Sequence, residues 1–452
     1  MPGEPEITGG AGGVSADYRD MATLADSSDD LAHTLGRVSA ECHAVAADAD
    51  LLASAVLAPA SAARFTAALL SALDGTDGLT AQAAVFGVRA GRLRAAAATY
   101  EATDRAQAAL IDSVRWMAGA AAPLAAPAVV TGAAAFALTN PAAVLLLATN
   151  PPDFQRMITE HPGVVDLAVG AGPGLISWLP GVGITDVPGA ADLVGNLYPD
   201  GRPVVTDRGL DDNPRGPPAP ANIGDLVAGL DYRNNLVHGG QPDQIDVRVI
   251  TRPDGTRSFV VDLPGTKDWN LPPGLNPQLN DLGTNVHVLG GDVTTRERAI
   301  ADALHRAGAS STDPVMLVGH SQGGMVAAQA AVDRGSATFD FNVTHVVTAG
   351  SPIGRIDVPD DVQVLSLENK HDIVPHLDAS DNPDRPNWTT VTFDDQQGNM
   401  GNNHGTGSAY LPAGRALDNS TDPSVVAFRD SASAFLTPGR SETHVYELSR
   451  VP

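Results

Sequence analysis

The stretch that most restricts the fold of this 452-residue chain is Pro314-Val315-Met316-Leu317-Val318-Gly319-His320-Ser321-Gln322-Gly323-Gly324-Met325, with the alanine-rich segment after it. Residues 315–318 form an unbroken apolar run, as a strand buried on both faces requires. Residues 319–323 read Gly-His-Ser-Gln-Gly, a G-x-S-x-G pattern. Met325 to Arg334 has the composition of a helix, and Gly335 supplies its stop. Strand, tight turn and helix in that order predict a nucleophile elbow, with Ser321 at its apex. The glycines answer to crowding. The positions two before and two after the serine face each other, so a Cβ at Gly319 or Gly323 would clash. The serine would stand at a helix N-terminus, where unpaired N–H groups and the helix dipole favour developing negative charge.

The length predicts two domains. A net charge of -25 and a pI near 4.6 argue against nucleic acid and anionic membrane surfaces as partners. Cys42 is the sole cysteine, which excludes an intramolecular disulfide and a cysteine-based zinc site. Met1-Pro2-Gly3-Glu4-Pro5-Glu6 has neither a basic segment nor an apolar run, so no ordinary secretory signal peptide is expected.

Taken in order, residues 1–15 are glycine-rich and predicted to be disordered. Residues 16–117 predict a helical hairpin. Its first helix carries a seam of Leu24, Leu31, Leu35, Val38, Cys42, Val45, Ala49, Leu52 and Val56. Its second carries Leu79, Ala83, Phe86, Ala90, Leu93, Ala97, Tyr100, Asp104, Ala108, Ile111 and Val114. Each stripe must be buried against the other or against a partner. Asp104 is the departure, an acid where the seam calls for an apolar residue. Residues 118–197 form an apolar, Gly/Pro-rich helical segment. The uncharged run 117–149 is long enough for a bilayer, but Pro123, Pro127 and Pro141 interrupt it, so buried helices or peripheral membrane contact fit at least as well. Residues 198–221 carry proline and glycine at linker density.

From 222 to 452 strands alternate with helices. Strands are predicted at 246–251, 258–263, 285–289, 315–318, 344–348, 363–367 and 389–393, with a final edge strand at 444–448. Residues 294–307 predict a helix with a Thr294-x-x-Glu297 capping box. This order implies a mostly parallel sheet flanked by helices: an α/β fold with an all-α hairpin before it.

A serine nucleophile needs a base, and the base an orienting acid. In a sheet of this kind they gather at the C-terminal strand ends, in the chain order serine, acid, histidine. After strand 363–367 come Glu368 and, in a D-x-V-P turn, Asp372. Asp372 is favoured, and Glu368 remains its rival. After strand 389–393, the loop Asn402-Asn403-His404-Gly405 offers His404 as the base. His376 lies too close to Asp372 in the chain, and His444 falls in the edge strand. The backbone N–H of Gln322 is one candidate oxyanion donor.

These motifs make residues 222–452 resemble lipase-like serine hydrolases of the α/β-hydrolase superfamily. The Asp372 turn is similar to the D-P-V-P turn that holds the acid of class 3 lipases. By the same resemblance, Pro264-Gly265-Thr266 corresponds to their oxyanion loop, which makes Thr266 the second donor. Tyr100-Glu101-Ala102-Thr103-Asp104 is similar to the Y-x-x-x-D/E export signal of actinobacterial type VII secretion substrates, which are helical hairpins. Ala58-Pro59-Ala60 stands where those substrates carry Trp-x-Gly.

The resemblances imply a serine ester hydrolase acting on a lipid or other acyl ester, with no metal or organic cofactor. They further imply secretion or a cell-envelope location by a type VII-like route, with the secretion machinery or a small helical protein as partner. The alternatives are acyl transfer with the same residues, or a secreted interaction protein whose catalytic domain is inactive.

Overall fold

A computed structural model of the protein describes residues 4–139, 159–179, 181, 183–211, 213, 216, 219–269, 276–436 and 440–452. For 14–17, 104, 105 and 124–139 it describes the backbone alone. The chain forms two compact units: Val14–Leu110, and Met1–Gly13 together with Ile111–Pro452.

The first unit is helical, with helices Val14–Ala46, Ala49–Leu57, Pro59–Asp74 and one that starts at Leu79 and runs to Thr139, past the unit boundary. Asp48 caps the second by accepting the N–H groups of Asp50 and Leu51, and Pro59 opens the third. The hairpin buries Ala90 and Ala97 of the expected second seam but leaves large members of both seams exposed. Its buried residues include Ala25, Ser28, Ser39, Ala90 and Ala97, whereas Leu24, Leu31, Val45, Leu52 and Val56 are exposed. Small side chains let the helices approach, and polar bonds complete the contact. Arg94 pairs with Asp26 and Asp29 at 2.8 and 3.2 Å, and the Ser39 and Thr80 hydroxyls lie 2.9 Å apart. Tyr100 is 55% exposed and its ring stacks on Tyr18 at 5.9 Å. The side chain of Asp104 lies outside the described residues.

The second unit is built on a sheet of nine described strands. These are β1 (Glu6–Gly9), β2 (Arg202–Leu210), β3 (Asp243–Thr251), β4 (Arg257–Leu263), β5 (Pro314–His320), β6 (Asn342–Ala349), β7 (Gln363–Asn369), β8 (Trp388–Phe393) and β9 (Arg440–Val451). The order is β1-β8-β7-β6-β5-β4-β3-β9-β2. Neighbours from β4 to β8 run parallel, and the pairings outside them are antiparallel. Helices Thr295–Arg306 and Gln322–Val332 contribute Ile300, Leu304 and Val326 to the core on one face. Helices Ile223–Leu236, Leu411–Leu417 and Pro423–Ser431 cover the other with Leu226, Leu417 and Phe428. This is the mostly parallel, helix-flanked α/β-hydrolase arrangement expected from the sequence.

Four expectations are corrected. Residues 1–15, expected to be disordered, contain β1, which pairs with β8. The expected linker 198–221 contains β2, which pairs with β9 from Arg202 to Leu210. Residues 285–289 are not a strand but part of helix Leu282–Gly290. Asp281 caps it through the Thr284 N–H, and left-handed Gly291 ends it. Strand β9 is not an edge, since β3 and β2 flank it. In the uncharged run, residues 140–149 lie outside the described residues. Among the described residues no helix is long and apolar enough to cross a membrane.

In helix Thr295–Arg306 the Thr294 hydroxyl accepts the Glu297 N–H at 3.1 Å. The Glu297 side chain is buried near Asp333. Burial first, and then the Asp333 charge, push its carboxyl up to about 8. An acid raised in this way stays protonated in the fold while the unfolded chain ionises. Its effect is therefore to lower stability as pH rises from 4.5 towards about 8. Glu297→Gln should remove that loss. Its advantage over wild type in unfolding free energy should widen between about pH 5 and pH 8, by at most about 1.4 kcal/mol per pH unit. A constant difference would contradict it.

Candidate active site

Four parallel strands deliver the site. Register places Leu263 of β4 beside Gly319 of β5, and His320 beside Ala349 of β6. The segments leaving these strand ends therefore emerge at one edge of the sheet. Ser321 follows β5 with φ 55 and ψ -124. Among the described residues Ala379 alone shares its positive φ outside glycine. Such a backbone costs energy and persists only where its surroundings impose it. The Ser321 N–H donates to Ala349 O at 3.0 Å, and Ser321 O accepts from Gly324 at 3.0 Å. A Cβ on Gly319 would run into the backbone of Gly323, and one on Gly323 into Leu263 O. The crowding inferred from the sequence is therefore present on both sides of the turn.

Asp372 lies beyond β7 and is 1% exposed. His404 ends the short helix Met400–Asn403 beyond β8. The structure brings the two together: His404 Nδ1–H donates to Asp372 Oδ2 at 2.7 Å. The same carboxylate takes two further donors. The Tyr410 hydroxyl donates to Oδ2 at 2.6 Å, and the Val374 N–H to Oδ1 at 3.0 Å. Glycine is required opposite them, since a Cβ on Gly350 (φ 61) would stand 2.6 Å from the Tyr410 hydroxyl and 2.7 Å from Asp372 Oδ2.

Glu368, the rival acid, points elsewhere. Asn382 and Ser366 bond its carboxyl, and burial pushes it up to about 7. His376 pairs with Asp166 at 2.8 Å. Burial works to lower its pKa, but the Asp166 hydrogen bond and charge outweigh that and raise it. His444 sits within β9, stacked on Tyr446.

His320 links the elbow to His404. Its Nε2–H donates to His404 O at 2.7 Å, and the two rings stand 4.4 Å apart. Burial, with His404 beside it, holds His320 well below the usual histidine range. It is therefore a neutral spacer. The loops carrying Asp372 and His404 are also tied to each other. Asn369 donates to Asp395 O and Asn403 O at 2.9 and 3.0 Å, and Asn403 donates to His371 O at 3.0 Å.

On the other side of Ser321 is Pro264-Gly265-Thr266, directly after β4. A Cβ on Gly265 would stand 2.9 Å from Ser321 Cβ, so this loop touches the elbow. Its shape is held by Asn234, whose side chain accepts the Gly265 N–H at 3.3 Å, and by bonding between Thr266 and Asn285. Gln322 opens helix Gln322–Val332, where a backbone N–H has no carbonyl of its own helix to reach. Tyr410, Asn369, Asn403 and Asn234 were not singled out from the sequence. Tyr410 belongs to the loop that follows His404, but nothing local says that its hydroxyl turns back to β7. Among the described residues no cluster of His, Cys, Asp or Glu could hold a metal ion.

A family comparison agrees with the architecture. Residues 236–443 match the family described as Alpha/beta hydrolase family. A solved structure of a gene product from Listeria innocua shares 13% identity, covering 48% of this chain and 90% of its own, with a TM-score of 0.23. The search of curated proteins found no match.

The elbow generates a direct test. Gly319→Ala must displace backbone, since it meets Gly323 rather than a flexible side chain. An overpacking cost of about 1–3 kcal/mol is expected, or roughly 2–10 °C in melting temperature. An unchanged melting temperature would show that the turn is not crowded.

Proposed function

We propose that this chain is a serine ester hydrolase, of lipase or esterase type, with Ser321, Asp372 and His404 as its triad. One observation carries the reading: the 2.7 Å bond from His404 to buried Asp372, tied through His320 to a serine held at positive φ. The α/β-hydrolase match over residues 236–443 supports a hydrolase.

In this reading Ser321 Oγ attacks the acyl carbonyl while His404 Nε2 takes its proton. Asp372 keeps the hydrogen on Nδ1 and stabilises the imidazolium that forms. Tyr410 and the Val374 N–H hold the carboxylate in place. The oxyanion is received by the N–H groups of Gln322 and Thr266, preorganised where the charge develops. The imidazolium returns its proton to the leaving alcohol. Water then repeats the sequence on the acyl-enzyme, and neither metal nor organic cofactor enters a step. The substrate is an acyl ester, and a lipid is the leading class.

We further propose that the helical unit serves export by a type VII-like route to the cell envelope or beyond, recognised by the secretion machinery or a small helical partner. The exposed ring of Tyr100, stacked on Tyr18, supports this.

A fluorophosphonate probe should label Ser321, and Ser321→Ala should abolish both labelling and hydrolysis of p-nitrophenyl esters. Asp372→Asn should lower kcat by about 10³–10⁴, and Glu368→Gln should leave it within about twofold. A folded wild-type protein that neither labels nor turns over would refute the enzyme. Losses of the opposite ranking would make Glu368 the acid. For export, Tyr100→Ala should remain inside the producing cells with its esterase activity intact. Unaltered export of that variant would remove the signal.

A further inference from the structure

Arg296 is fully buried, yet its guanidinium is shared among three segments of the chain. Its Nε and Nη2 grip Asp243 at 2.8 and 3.2 Å. Nη2 also donates to Pro264 O at 2.9 Å, and Nη1 to Gln322 Oε1 at 2.8 Å. The Gln322 side chain is fixed from its other end too, donating through Nε2 to Asp281 O at 2.6 Å. Asp243, itself buried, offsets the cation.

Two of these partners are telling. Pro264 leads into Gly265-Thr266, and Gln322 directly follows Ser321. They belong to the two segments that offer oxyanion donors in the reading above, on which this inference rests. We propose that Arg296 is a positioning residue that sets the spacing of those two donors, with Asp243 as its anchor.

The physical case is one of geometry. The donors come from different strand ends, β4 and β5, and each sits on irregular backbone. An oxyanion hole works only if its N–H groups are already aimed at the developing charge, with tolerances near 0.5 Å. A planar guanidinium with five fixed donors can clamp a carbonyl on one segment and an amide on the other at once. An ammonium has three donors on one atom and lacks the spread of the planar fork that makes these four bonds. A merely packed side chain would not explain why the charge is bonded to both donor-bearing segments, at the expense of burying an ion pair.

Full-length Arg296→Lys tests this. Its kcat on p-nitrophenyl butyrate should fall about 10–100-fold, with KM within about threefold. Affinity for an alkylboronic acid, which forms a tetrahedral adduct on Ser321, should fall in parallel. Binding of the unreactive amide analogue of the substrate should not change. A lower melting temperature with unchanged kcat per titrated active site, and unchanged boronate affinity, would make Arg296 structural only and overturn the proposal. If Arg296→Lys does not accumulate as folded protein, Gln322→Ala decides. It keeps the backbone donor and loses the link to Arg296, so it should show the same kcat loss at constant KM. Wild-type kcat in that variant would overturn the link. Wild-type protein that is folded but unreactive towards both ester and fluorophosphonate would instead refute the hydrolase reading, and this inference with it.

Discussion

Backbone crowding at the end of β5 is the constraint on which the rest of the site depends. Ser321 adopts a positive φ because Gly319, Gly323 and the β4 terminus leave the turn one path between sheet and helix. That path places the serine at a helix N-terminus and brings Pro264-Gly265-Thr266 against it. The strain is local, but its support is distributed. The Ser321 N–H is held by β6, and its neighbour His320 by the carbonyl of His404. Sheet, helix and histidine loop therefore all help to hold one residue in a conformation it would not adopt alone.

Buried polar groups do for the loops what the parallel ladder does for the strands. Asp372 is surrounded by donors from His404, Tyr410 and the Val374 amide. Asn369 and Asn403 tie the β7 and β8 loops, so the acid and the histidine are held as one piece. Arg296 plays the corresponding part on the other side of the serine. In the low-dielectric interior each bond is strong when satisfied, and its loss is costly. Irregular loops can therefore hold side chains as firmly as regular elements do.

The helical unit is organised on a different principle. Its helices meet through alanine, serine and ion-paired side chains, and many of its larger apolar residues face outward. Leucine periodicity identified the helices and the buried Ala90 and Ala97 of the second seam, but it assigned several exposed large residues to the buried face. Close approach favours the smallest side chains, and heptad spacing does not weigh that against hydrophobicity. A similar limit applies to β3. Asp246 and Arg248 alternate with apolar residues along it, and alternation alone does not say whether the polar positions are buried. Both are in fact buried, paired with Arg233 and Asp262.

What the sequence determined by itself was whatever local chemistry encodes. That covers the strand–turn–helix of the elbow, the glycines it needs, the alternation that makes a parallel sheet, and the chain order of serine, acid and histidine. Tertiary structure decided the rest. Residues 4–13 and 198–221 looked unstructured because strand identity there comes from β8 and β9, which supply the missing hydrogen bonds. Residues 285–289 read as a strand because so short an apolar run carries no period, and the Asp281 cap makes it a helix. Between Glu368 and Asp372 the D-x-V-P turn favoured Asp372 but did not exclude Glu368, because both leave the same strand end. Only the fold turns Asp372 towards His404 and Glu368 towards Asn382. Tyr410 and Arg296 have no local signature, since their partners lie 38 residues away in one case and 26 to 53 in the other. Hydrogen bonds across such separations exist only once the chain has folded.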